Sequence, residues 1–136
     1  MAFVIKADVR DPQASSFTFA AQKTMYGGKL IAAGDTVFMF ASENEGGRGL
    51  FARGVVSHAR AVEKLRDVER QTPRVSVVVD RTALAKRPLG RSELKRFRNW
   101  KDGRPETELN FKFYRQATDK IAGVSASVAA FLETFF

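Results

Sequence analysis

Along the first residues hydrophobic and polar positions alternate: Phe3, Ile5 and Ala7 fall on one side, Val4 and Lys6 on the other, which predicts an opening strand with one buried face. Asp11-Pro12 ends it. From Ser15 to Lys29 no period persists. Phe17, Phe19, Met25 and Tyr26 nevertheless mark a packed connection in which a short helix is expected, closed by Gly27-Gly28. Gly34-Asp35 then precedes TVFMFAS, a continuous apolar run whose length suits a central strand buried on both faces. Residues 43–49 form a glycine-rich turn and LFARGVVS follows as a second β-rich run, so the two should pair as an antiparallel hairpin. Gly54 inside the second run signals a bulge or a close backbone approach.

Charge alternates from Ala59 to Arg70, as in a helical or extended surface excursion, before VSVVVD from Val75 supplies another strand. Ser92, with Glu93 beside it, reads as the N-cap of a basic helix. Leu94, Phe97 and Trp100 recur along it at three-residue spacing until Asp102-Gly103 stops it. Leu109, Phe111 and Phe113 alternate with Asn110, Lys112 and Tyr114, the pattern of a half-buried strand. Ser125 caps a last helix in which Val128, Phe131, Leu132 and Phe135 occupy i, i+3, i+4 and i+7. No internal repeat is present. This order predicts an α+β fold: a small mixed or antiparallel sheet, closed into a barrel and flanked by peripheral helices, rather than a doubly wound parallel sheet. Val37, Met39, Val55, Val77 and Phe111 are expected in its core, with the last helix over one opening of the barrel.

A chain of 136 residues, 44% apolar and 28% charged, supports one core, so residues 1–136 are expected to form a single domain. The absence of cysteine excludes disulfides, thiolate catalysis and cysteine-ligated zinc. No apolar run matches a bilayer and the opening residues lack a secretory pattern, which makes the cytoplasm the expected location. The net charge of +8 and isoelectric point near 10.2 point to an anionic partner. Much of the excess sits between Leu84 and Arg104, where eight basic residues face only Glu93 and Asp102.

The stretch GDTVFMFAS, ENEGGRG, LFARGVVS resembles the PUA-like superfamily, in particular its EVE, YTH and ASCH branches. Gly34, Asp35, Phe40, Ser42, Gly49, Gly54 and Val56 carry the likeness. The resemblance implies a twisted barrel whose mouth takes a nucleobase, often a modified one; some ASCH members look instead like RNA-cleaving enzymes. The tryptophans that line the pocket of YTH-type readers have no counterpart early in this chain, whose one tryptophan is Trp100.

A base reader needs flat surfaces for stacking and a few groups aimed at the base edge. Tyr26, Phe40, Trp100 and Tyr114 are the stacking candidates, against the alternative that each is core. Ser42, Asn44 and Gln116 are candidates for the edge, against turn capping and solvation. Arg48 and Arg53, flanking the hairpin, and Arg91, Lys95, Arg96 and Arg98, on the basic helix, are candidates for phosphate. The competing account of these charges is ordinary solvation and screening.

Catalysis has less support. His58 is the sole histidine and has no triad context; Glu43 with Glu45, and Glu106 with Glu108, read as solvated pairs; GGRG lacks the Lys-Ser/Thr of a phosphate loop. No cofactor, metal or catalytic residue is expected. The reading is a non-enzymatic binder of RNA or DNA, a reader of a modified base held in a pocket at the barrel mouth, with oligomeric state open. The alternatives are an ASCH-like ribonuclease using His58 or a Lys/Tyr pair, and a basic protein-interaction module.

Overall fold

The computed structural model describes residues 2–136. The opening alternation becomes strand β1, Ala2–Ala7, and the first apolar run becomes β3, Thr36–Ala41. Both are buried on two faces. Phe3, Ile5, Val37 and Met39 enter one cluster, while Val4, Phe38 and Phe40 enter another. This follows from the period of two in a strand, which sends successive side chains to opposite sides. The hairpin partner is the long strand β4, Gly49–Ala61, followed by β5, Arg74–Leu84. Gly54 lies where the β4–β5 register shifts, and a Cβ there would stand 2.6 Å from the Asp80 carbonyl oxygen. Bulge and close approach therefore coincide.

Two segments change type. The segment predicted to contain a helix is strand β2, Ser16–Met25, followed by a single 3-10 turn, Gly28–Leu30. Phe17 and Phe19 do alternate with exposed neighbours, but the register against β5 shifts between Phe19 and Gln22 and hides the period. The expected strand through Phe111 is helical: α2, Pro105–Asn110, runs into a π-helical turn, Phe111–Arg115. Leu109 and Phe113 are buried four residues apart, which a helix satisfies as well as an alternation does. The basic helix is short. Helix α1 spans only Arg91–Leu94, with Gly90 rather than Ser92 at its N-cap and the Glu93 carboxylate accepting the Gly90 N–H at 2.7 Å.

Strand β6, Lys120–Gly123, closes the sheet. The order is β1-β3-β4-β5-β2-β6, with β6 returning to β1. The β1–β3 and β2–β6 pairs are parallel and the others antiparallel. The barrel is thus mixed and closed, as the sequence predicts. Its interior holds Phe3, Ile5, Phe17, Phe19, Val37, Met39, Val77, Val79 and Ile121.

Helix α3, Ala126–Glu133, is capped by Ser125, whose hydroxyl accepts the Val128 N–H. With Leu94, Leu109 and Phe113, its Val128 and Leu132 cover Phe38, Phe40 and Ala122. These lie on the outer face of the β6-β1-β3-β4 wall, so α3 sheathes the wall instead of covering an opening. Val37, Met39 and Val77 are buried as expected. Val55, 38% exposed on a stretch of β4 that no helix covers, and half-buried Phe111 are not. Among the described residues no helix is long and apolar enough to cross a membrane.

Candidate functional site

Strand β6 pairs with β2 only at Thr24 and Met25, so residues 20–23 of β2 run past the start of β6 and leave a gap at the barrel rim. A cleft of about 630 Å³ opens there. It is lined by residues 20–23, by Ser42, Asn44 and Glu45 beyond β3, by Arg74, and by residues 117–119. The β2 side is shaped by the bulge. Ala21 takes a left-handed φ of 48°, its N–H donates to Ser76 Oγ at 2.9 Å, and its carbonyl accepts from Arg74 at 2.7 Å. On the opposite side the Ser42 N–H donates to the Ala7 carbonyl at 2.8 Å. Ser42 is only 2% exposed. The residue lines the cleft, and among the described residues no buried side-chain polar atom is left without a hydrogen-bond partner.

The third wall is held by two buried lysines. Lys6 and Lys120 are register partners across β1 and β6, and neither is exposed. Lys6 donates to the carbonyls of Phe113 at 2.8 Å and Ala117 at 2.9 Å and lies 3.7 Å from an Asp119 carboxylate oxygen. Lys120 donates to the carbonyls of Gln116 at 2.7 Å and Thr118 at 2.9 Å. Burial, reinforced by the neighbouring Lys6 charge, pushes the Lys120 ammonium down to about 8. Lys6 is lowered as well, by burial, against the opposing pull of Asp119 and Glu43.

A cationic groove adjoins the cleft. Arg91, Lys95, Arg98 and Arg115, all exposed, surround a hollow of about 260 Å³ with Asn110 and Tyr114. The joint between the two is Glu43. One of its carboxylate oxygens accepts the Arg91 N–H at 2.7 Å and the other accepts the Tyr114 hydroxyl at 3.1 Å. The Arg91 guanidinium donates to Asn44 Oδ1 at 3.0 Å. Burial, with the Glu43 charge beside it, raises the Tyr114 phenol well above its ordinary range, so it remains a donor.

No family model and no curated protein matches the chain. Solved structures do. The DUF55 domain of human thymocyte nuclear protein 1 superposes with a TM-score of 0.65 at 15% identity, covering 98% of this chain and 97% of that one. The fold is PUA-like. A structure of human THYN1 in complex with DNA containing 5-methylcytosine gives 0.64 at 14% identity over 98% and 95%. A Pseudomonas putida protein gives 0.66 at 13% over 99% of both chains.

Onto this PUA-like barrel the sequence candidates fall in three places. Ser42 and Asn44 line the rim cleft. Arg91, Lys95, Arg98 and Tyr114 line the cationic groove. Tyr26 and Trp100 share a third hollow of about 420 Å³ with Arg104, Glu108, Phe111 and Lys112, and Gln116 accepts the Tyr26 hydroxyl at 2.6 Å.

Others are elsewhere. Phe40 is fully buried with its ring 5.1 Å from that of Phe113, so it is core and offers no face to a base. Arg53 is paired with Glu133, bonded to Thr82 and stacked 5.3 Å from the Phe136 ring, which commits it to holding α3 against the barrel wall. Arg96 lies over the Phe97 ring at 4.9 Å, and Arg48 is exposed.

Glu43 and Glu108, read as solvated, are instead structural acceptors. Glu108 takes bonds from Lys112 at 3.0 Å and from the Ser125 hydroxyl at 2.7 Å. Sequence reasoning missed Lys23 and Arg74, which β2 and β5 bring to the cleft from positions fifty-one apart, and the buried Lys6 and Lys120. Exposed His58 lies in a separate hollow with Ser57, Arg60 and Ser76; its Nδ1 is 3.2 Å from Ser57 Oγ, and no carboxylate lines that hollow.

Proposed function

We propose that this PUA-like domain binds nucleic acid as a reader, with one base inserted in the rim cleft and the backbone running along the Arg91, Lys95 and Arg98 groove. The observation that carries the proposal is the rim cleft of about 630 Å³, lined by Ser42 just beyond the end of β3. With the Asn44 amide and the Asp119 carboxylate it offers both donors and acceptors to a base edge. The groove beside it gathers four cations and is bridged to the cleft through Glu43 and Asn44. Lys23 and Arg74 place positive charge on the other side of the opening. A neighbour of this fold, THYN1, is seen with DNA containing 5-methylcytosine, which makes methylated cytosine the first modified base to try.

The test is fluorescence anisotropy with labelled single- and double-stranded DNA and RNA, each with and without 5-methylcytosine, at low salt. Saturable binding that weakens as salt rises is expected, because phosphate contacts release condensed counterions. Filling the cleft with Ser42→Leu should reduce affinity while the fold persists. Absence of binding to every probe would refute the proposal.

A further inference from the structure

The rim cleft contains no aromatic side chain, so nothing in it supplies the face-to-face stacking that single-strand binders use. That surface lies in the neighbouring hollow. Trp100 is 70% exposed and Tyr26 44% exposed, although aromatic rings of this size gain most from burial. Tyr26 is nonetheless held in place, and Trp100 shares its hollow.

Tyr26 adopts a left-handed φ of 54°, an uncommon conformation for an aromatic residue. It is fixed there by its carbonyl, which accepts the Gly123 N–H at 3.1 Å, and by its hydroxyl bond to Gln116. Lys112 stands 4.9 Å from the Tyr26 ring centroid and is anchored by Glu108 and by the Gly123 carbonyl at 2.8 Å. Lys101 stands 5.2 Å from the Trp100 ring centroid. The Arg104 guanidinium, at the edge of the hollow, bonds to no described residue. The one carboxylate lining the hollow, Glu108, is already engaged by Lys112 and Ser125.

We infer that the hollow between Trp100 and Tyr26 is a second base-binding site, in which an unpaired base of the strand held at the rim cleft stacks on the Trp100 indole. The inference rests on the proposed function. Two features select a nucleobase over an apolar peptide. Lys101, Lys112 and Arg104 surround the rings with positive charge, which suits a polyanion whose bases are flat and whose backbone is charged. The hollow also neighbours the rim site along the chain: Gln116, bonded to Tyr26, immediately precedes the 117–119 wall of the cleft. The base must be unpaired and unstacked, because only then is its face free for the indole.

Trp100 is the chain's one tryptophan, so emission excited selectively from tryptophan reports this site alone. Wild-type protein is titrated with a short fluorescein-free single strand carrying 5-methylcytosine and, in parallel, with its labelled twin for anisotropy. Quenching of Trp100 emission that follows the anisotropy curve is expected, weaker for the blunt duplex than for the single strand. Trp100→Ala should lower single-strand affinity about ten-fold with an unchanged salt slope and melting temperature, while Trp100→Phe retains most of the affinity. Anisotropy that rises with emission unchanged, or Trp100→Ala at full affinity, overturns the second site and leaves the rim reading standing. No anisotropy change with any strand removes both.

Discussion

At the scale of single residues, Ser42 and the lysine pair behave in opposite ways. Ser42 lines the rim cleft and truncation to alanine removes only one oxygen from that wall, so its loss should cost the fold little. Ser42→Ala is expected to shift stability by less than about 0.5 kcal/mol while weakening oligonucleotide binding about five-fold, the worth of one hydrogen bond of about 1 kcal/mol. Melting curves and anisotropy on the same sample check both. Lys120 is engaged and carries a pH signature. Its folded ammonium titrates near 8 against an ordinary 10.5. Between those values the unfolded chain holds a proton that the folded one has released, so stability rises with pH across that window. Lys6 acts in the same direction. Tyr114 opposes above pH 10, where the unfolded chain sheds a phenolic proton that the folded one keeps. The melting temperature should therefore climb from pH 8 to about 9.5 and turn over beyond 10, with the climb reduced in Lys120→Met. A flat profile for wild type would contradict the buried-ammonium account. Ser42 was legible in the sequence because it ends an apolar run. Lys6 was not, since a lysine alternating with apolar residues reads as solvent-facing, and the carbonyls that receive it lie more than a hundred residues away.

Among the elements, α3 and the β3–β4 hairpin follow their local pattern, the basic helix stops well short of Trp100, and segments whose pattern is bent by a neighbour change type. The α3 stripe and the β3–β4 hairpin needed no distant information. Strand β2 lost its alternation at the Ala20–Ala21 bulge, and that bulge is stabilised by Ser76 and Arg74 from β5, which no local window contains. In residues 109–113 apolar positions two apart mimic a strand, but Pro105 at the first turn of α2 and the need to cover Phe40 make the segment helical. The junction of α2 with α3 carries a stability prediction. Ser125 caps α3 and is bonded to Glu108; Ser125→Ala should cost about 1 kcal/mol, a drop of about 3 °C at this chain length. Burial would raise the Glu108 carboxyl, but hydrogen bonds from Ser125 and Lys112 outweigh it and hold it low. Its contribution is present above the ordinary carboxylate range and lost as the pH falls through its depressed value, so Glu108→Gln should blunt the acid limb of the stability curve. Removing residues 128–136 altogether should bare Phe38 and Phe40 and produce aggregation, visible in light scattering.

For the molecule as a whole, charge placement is what the sequence showed least completely. The basic run from Leu84 to Arg104 was visible, yet part of it serves the fold: Arg87 stacks 4.1 Å from the Phe135 ring and bonds to Thr134. The working set is assembled from α1, the π-helical turn, β2 and β5 and surrounds the rim cleft from two sides. Replacing Lys95 and Arg98 with Gln should reduce the slope of log affinity against log salt by about one unit per lost contact, equally for every sequence, with little change in melting temperature. An unchanged slope would mean that the groove is solvated charge. Closure of the barrel has a consequence for how the chain reaches this state. Among the described residues strand β6 is the only piece that joins β1 to β2, and it is made about a hundred residues after them. Until it emerges from the ribosome, both earlier strands present bare edges, and neither the rim cleft nor the seat of Tyr26 exists. Nascent chains halted before Lys120 should accordingly be captured by chaperones that recognise exposed strands, and release should coincide with the final four-residue stitch.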